Sequence, residues 1–194
     1  MNTGMSIEEA IRGRRTVGRV TGEEVAQELI EAVLEAGNWA PSHHGTEPWR
    51  FFVMRGSGRQ RLADAYADIA AEGAKADEPA ALDELRRKNG TKAYRAPVII
   101  AVAVSPSEAK GVSRIEEFAA THSAVQNMLL MTHALGLGGI WRSGEPMYHP
   151  RMKEAFALTE REELVGLLYI GFPEKQPPDG KRRPVEEKTV WFTD

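Results

Sequence analysis

Pro97-Val98-Ile99-Ile100-Ala101-Val102-Ala103-Val104 is the stretch that decides the fold class. Every residue after the proline is apolar, most are β-branched, and no polar residue alternates with them. A strand of this composition has to be covered on both faces. The expectation is a central strand between helical layers, a mixed α/β (α+β) fold.

Working outward from that strand, helical periods appear on both sides. Upstream, Ser6-Ile7-Glu8-Glu9 has capping-box spacing and predicts a short helix. Thr21-Gly22-Glu23-Glu24 repeats the pattern ahead of Val25, Leu29, Ala32, Val33 and Ala36, predicting a second helix of about four turns capped by Gly37. Residues 38–48 read as a loop and 50–55 as a strand. Leu62, Tyr66 and Ile69 mark another helical face, Leu82 and Leu85 a further one, and the polar stretch 73–79 between them reads as a mobile connector.

Downstream, Phe118, Ala119, Val125, Met128, Leu129 and Leu135 predict a long helix over 115–135, ending at Gly136. It is apolar around much of its girth, so it is expected at the centre of the fold and shared with a second subunit. A short strand over 139–143, a helix over 149–158 opened by Pro150, and a buried strand over 164–172 follow. Residues 173–194 hold four prolines and no period, yet end in Val190-Trp191-Phe192. Such a tail should drape over its own domain or a second chain. Neither a repeat nor a second boundary interrupts 1–194, which reads as one domain.

A chain of 194 residues can bury roughly 70% of its unfolded surface without disulfides or metals. There is no cysteine, which excludes thiolate nucleophiles, cysteine zinc sites and cysteine-bound clusters; redox chemistry would require an organic cofactor. The longest apolar run is 98–104, far below the ~20 residues of a membrane helix, and the first residues lack a secretory pattern. A cytoplasmic protein without a membrane partner is expected. Net charge is -3, so no global field draws nucleic acid. Arg12, Arg14, Arg15 and Arg19 nevertheless crowd the start, and Lys181, Arg182 and Arg183 the end. Each is either ordinary surface charge or part of two clusters converging on one small anion.

Two glycine-rich stretches fail as dinucleotide fingerprints. Gly136-Leu137-Gly138-Gly139-Ile140-Trp141 follows a helix and leads into a strand, the reverse of what the fingerprint needs, and Gly56-Ser57-Gly58 has Arg61 where the third glycine belongs. The five histidines show no metal-ligand spacing, and no metal is expected. His122 and His133 read as ordinary helix histidines. His43 and His44 lie in a loop beside Trp39, Pro41, Pro48 and Trp49, where an imidazole either reaches a planar ligand or serves the loop.

Three blocks, in order and spacing, are similar to the nitroreductase family. They are Arg14-Arg15-Thr16, Ala40-Pro41-Ser42-His43 with Glu47-Pro48-Trp49, and Gly138-Gly139-Ile140-Trp141-Arg142-Ser143-Gly144. The resemblance runs from Ile7 to Phe172 and is nearest the small YdjA-like branch. It implies a three-layer fold with a central, mostly antiparallel sheet flanked by helices, and a homodimer with FMN at the subunit interface. Arg14, Arg15 and Thr16 match the positions that hold the FMN phosphate and ribityl chain, a fit for guanidinium and hydroxyl groups. His43 and Glu47 match positions that approach the flavin from the partner subunit, and Trp141, Arg142 and Ser143 the late cofactor-binding stretch. Thr16 stands for the usual serine, and Glu47 for the usual glutamine, replacing an amide donor with a carboxylate. Gly18 and Val20 replace an arginine and an aromatic of the wider family.

What the resemblance implies is hydride transfer from NADH or NADPH through FMN to a nitro compound, quinone or activated enone. No side chain is an evident proton donor. A flavin carrier, a flavin-consuming relative and a binder of some other phosphate metabolite are the rival readings.

Overall fold

The structure, a computed structural model, describes residues 4–74 and 78–193. Its elements are α1 (Ile7–Gly13), α2 (Gln27–Asn38), β1 (Trp49–Arg55), α3 (Gln60–Glu72), α4 (Pro79–Gly90), β2 (Val98–Val104), α5 (Arg114–Ala134), β3 (Gly138–Arg142), α6 (Pro150–Ala155) and β4 (Glu163–Gly171). The four strands lie in the order β1-β2-β4-β3, every pair antiparallel.

β2 is buried along its whole length and feeds two cores. Ile99, Ala101 and Ala103 pack with Leu62 and Tyr66 of α3 and Met152 of α6. Val98, Ile100, Val102 and Val104 pack with Ile30 and Val33 of α2 and Val125, Met128 and Leu129 of α5. Strand alternation thus sends successive side chains into opposite layers, and the continuous apolar run follows from the two-sided cover. The three-layer expectation holds, with α1 against α5 and α4 against the outside of α3.

The capping box at Ser6 forms as read: its hydroxyl accepts from the Glu9 amide, and Glu9 reaches back to the Ser6 amide. The second box does not start a helix. Val20 pairs with Pro173, and the Thr21 amide donates to the Phe172 carbonyl at 2.8 Å, so this segment is tied to the end of the sheet and α2 begins at Gln27 instead. Nor is Gly37 a cap. It lies inside α2, where a Cβ would sit 2.8 Å from Met128 Cγ, so its lack of a side chain allows α2 to approach α5. α6 ends at Ala155, shorter than its periodicity suggests, because Ala157 turns left-handed (φ 50) and its amide closes on the Glu154 carbonyl. Within the connector read over 73–79, residues 75–77 lie outside the described residues.

β1 is fastened to the α6–β4 connection by Glu162, only 5% exposed. Burial is the largest single influence on its carboxyl and pushes the pKa up. Hydrogen bonds from the Thr159 amide, Arg50, and the Ser105 and Thr159 hydroxyls together outweigh it and bring the value to about 2. A carboxyl depressed on folding stabilises the fold above its unfolded value of 4.5 and loses that contribution as pH falls toward 2. In urea titrations, Glu162→Gln should be less stable than the parent by about 2–3 kcal/mol at neutral pH. The gap should narrow between pH 4.5 and pH 2; a gap constant through that window would remove Glu162 as its source.

Candidate functional site

α1 ends where Gly13 passes His133; a Cβ on Gly13 would lie 2.6 Å from His133 Nε2. The chain then turns extended at Arg14 and docks along β3: Thr16 pairs in parallel with Gly139, and the Val17 amide donates to the Gly139 carbonyl at 2.9 Å. Gly138 permits the approach, since a Cβ there would sit 2.7 Å from Val17 Cγ1. Arg14-Arg15-Thr16 is therefore held at the start of an edge strand whose far end is Arg142.

Arg15 curls over the end of α1, with Nη1 donating to the carbonyls of Arg12 and Arg14 at 2.5 and 2.8 Å. Among the described residues its Nε is buried without a partner, and Gly180 lies so close that a Cβ would be 2.4 Å from Cζ. Burial, then the charges of Arg182 and Arg15, push the Arg14 pKa below the ordinary guanidinium value. Burial, then Arg14 and Arg15, likewise lower His133, which is neutral at pH 7. A cavity of about 1220 Å³ opens beside Arg12, Arg15, His133, Asp179 and Arg182, and one of about 240 Å³ beside Arg14, Arg15, Thr132 and Gln176. Arg14 and Arg15 form no ion pair among the described residues. The larger cavity also carries Glu8 and Glu9, whereas the smaller one sets Arg14 and Arg15 beside no carboxylate among the described residues, a lining that suits an anion.

The tail supplies Arg182. It returns over the arginine turn, the Glu174 amide donating to the Arg19 carbonyl. All three cations 181–183 are exposed, but Arg182 alone lines the larger cavity, while Arg183 lies beside Glu187 at 4.0 Å. Beyond that point Val190, Trp191 and Phe192 are 75, 82 and 94% exposed. The tail thus drapes over its own domain first and ends with apolar side chains in the open.

At the far end of β3, Trp141 and Arg142 diverge. The Trp141 indole lies over Gly166, donates from Nε1 to the Val165 carbonyl at 2.9 Å, and has the His122 ring at 5.7 Å. Arg142 lies over the Tyr169 ring at 5.2 Å, with its Nε buried and, among the described residues, unpartnered. The Tyr169 and Tyr66 hydroxyls are 3.0 Å apart, and burial pushes both pKa values up, so both remain protonated. A cavity of about 200 Å³ joins Arg142, Ser143 and Gly144 to Lys92 and Arg95.

His43 and Glu47 occupy a separate loop between α2 and β1 and line none of these cavities. The loop is tightly coiled: His44 and Glu47 have φ of 59 and 47, the Glu47 amide donates to Ser42 Oγ at 2.9 Å, and both His43 and Glu47 are exposed. Its anchor is Glu117 of α5, fully buried, which accepts from the Thr46 hydroxyl at 2.6 Å and the Ser107 amide at 2.9 Å. Sequence reasoning passed over Glu117, although a carboxylate in register with Ala120, Thr121 and Ala124 on the buried stripe of a helix is a visible signal. His133, on sequence an ordinary helix histidine, stands against Gly13, next to the arginine turn.

The arginine turn, the strand end bearing Trp141 to Ser143 and the histidine loop all belong to a chain with known relatives. The Nitroreductase family pattern matches residues 11–172. YdjA of Escherichia coli K12, whose name assigns it provisionally to the NAD(P)H nitroreductases, is 36% identical over 166 residues, 86% of this chain and 87% of its own. The nitroreductase-like family protein from Bacillus cereus superposes over 100% of both chains with a TM-score of 0.83 and 30% identity. A Desulfovibrio desulfuricans protein crystallised in complex with FMN matches 98% of both chains at a TM-score of 0.70 and 32% identity. With the family pattern spanning most of the chain and a relative 36% identical over 86% of it, the protein belongs to the nitroreductase family.

Proposed function

We propose that this protein is a cytoplasmic, homodimeric, FMN-dependent oxidoreductase that passes a hydride from NAD(P)H to a nitro compound, quinone or activated enone. The observation that carries the reading is the convergence of Arg14, Arg15 and Arg182 without an ion-pair partner among the described residues. FMN fits what is there. Its phosphate matches the orphaned Arg15 Nε and the crowded guanidiniums, and Thr16, exposed beside them, matches a polyol. The turn and Ser143 stand at opposite ends of β3, roughly 13 Å apart by strand rise, which suits an elongated ligand with one anionic and one planar end. FMN, when bound, supplies the hydride chemistry.

The chain's own part is binding and orientation. Arg14, Arg15 and Arg182 neutralise the phosphate, and neutral His133 adds no further charge. Trp141, immobilised by its bond to Val165, forms a rigid wall, while Arg142 and Ser143 border the far end. His43 and Glu47 serve the partner's site, in keeping with their lining none of the arginine cavities of their own chain. Exposed Ile7, Ile11, Ile115, Trp191 and Phe192 offer the apolar surface that a second subunit would cover. The names of the relatives, NAD(P)H nitroreductases and an FMN complex, agree with this reading.

The absorption spectrum tests it. A yellow protein that bleaches anaerobically on addition of NADH or NADPH is expected. A yellow protein that neither nucleotide reduces would be a flavin carrier, and a colourless one that takes up no FMN would end the flavin reading.

A further inference from the structure

The stretch Gly56-Ser57-Gly58, rejected as a dinucleotide fingerprint, borders a cleft that the reading above leaves unused. About 670 Å³ in volume, it lies at the junction of β1, α3 and the chain entering β2, and is lined by Thr21, Ser57, Tyr94 and three arginines, Arg55, Arg59 and Arg95. Glu24 is its single carboxylate. Eight arginines elsewhere are ion-paired, whereas these three are not, among the described residues.

Arg59 is held in place by neutral groups alone. Its Nε donates to the Gly56 carbonyl at 3.2 Å and its Nη1 to the Ala96 carbonyl at 2.8 Å, with the guanidinium 5.0 Å from the Tyr94 ring centroid. Tyr94, 44% exposed, is itself fixed by its hydroxyl on Gln60. A preorganised cation beside a half-open aromatic ring meets the two needs of a phosphorylated purine nucleoside, charge and a stacking plane. Arg95 is common to this cleft and to the small cavity holding Arg142 and Ser143, at the Ser143 end of β3.

We propose that this cleft takes the 2′-phosphorylated adenosine of NADPH, so that Arg55, Arg59 and Arg95 favour NADPH over NADH. The proposal rests on the flavin-reductase reading. The monoester is the group that NADH lacks, and at neutral pH such a phosphate carries close to two negative charges.

Calorimetry of the FMN-loaded protein with adenosine 2′,5′-bisphosphate and with adenosine 5′-monophosphate tests the cleft without turnover. The bisphosphate should bind about tenfold more tightly, the effect of one charge-assisted contact. Arg55→Ala and Arg95→Ala, both at exposed positions, should erase that margin and lower the NADPH-to-NADH ratio of kcat/KM by a similar factor, and lysine at either position should restore part of it. Equal affinity for the two nucleotides, or alanine variants that keep the margin, would overturn the proposal. Bisphosphate binding by a protein whose flavin neither NADH nor NADPH reduces would refute the reductase reading and leave the cleft standing. Reduction by both nucleotides without phosphate discrimination would do the reverse.

Discussion

Arg14→Ala and Arg15→Ala are each expected to weaken FMN binding by roughly 10- to 100-fold, the worth of a charge-assisted contact to a partly buried partner. Riboflavin binding should barely change. The phosphate is the group that distinguishes the two flavins, and it is the group these guanidiniums suit. Crowding sharpens the expectation: the charged form of Arg14 is disfavoured first by burial and then by Arg182 and Arg15, so an arriving anion relieves repulsion as well as gaining contacts. The same repulsion means that the ligand-free Arg14→Ala variant should not be destabilised. Arg15→Ala exposes two carbonyls at the end of α1, a small cost where water can replace the lost bonds. Arg182→Ala should behave like Arg14→Ala. Arg183→Ala, which removes an exposed side chain beside Glu187, should leave FMN affinity alone. The rival account makes both arginines surface cations at a helix C-terminus, where the dipole favours them; it predicts equal affinity for the two flavins in every variant. Titrating the apo-protein with each flavin separates the accounts. If Arg14→Ala, Arg15→Ala and Arg182→Ala all hold FMN as the parent does, the phosphate lies elsewhere.

Gly166→Ala is the second large effect, expected through packing rather than charge. A Cβ at position 166 would sit 2.3 Å from Trp141 Nε1 and 2.7 Å from Cδ1, and the indole has no easy retreat. It is tied to the Val165 carbonyl and packs among the apolar side chains beneath α5. Overpacking together with loss of that hydrogen bond should cost about 2–4 kcal/mol, a fall in Tm of roughly 5–15 °C for a chain of this length. Gly58→Ala is the matched control. No atom lies within 4 Å of its new methyl group, and the change should stay within about 0.5 kcal/mol. Because Trp141 would be dislodged, the variant should also show altered tryptophan fluorescence and weaker FMN retention. A Gly166→Ala protein that melts with the parent and keeps its flavin would show that the indole is free to move.

Much of this arrangement was legible in the sequence. The unbroken apolar run 98–104 announced a strand covered on both faces, since every residue of β2 had to leave water. The Ser6 box announced α1, because a capping box is satisfied within four residues. The order of the three family blocks announced the sheet and the flavin reading. Strand period alone also implied that Trp141 and Arg142 point to opposite faces, although as one motif they were grouped together; the indole faces α5 and the guanidinium faces Tyr169.

Other features were settled only by tertiary structure. The Thr21 box competes with the Phe172 carbonyl for the same amide, and the sheet wins. Gly37 looks like a helix end until Met128 is seen against it. Of the three cations at 181–183, Arg182 alone reaches the arginine turn, because the tail folds back over Arg15 at Gly180. Glu117 anchors the loop of His43 and Glu47 through Thr46, a residue far from it in the chain. The division has one physical cause. Periodicity and capping are satisfied by neighbours within a few residues and so are written locally, whereas the choice among competing hydrogen-bond and packing partners is made by groups that only the folded chain brings into contact.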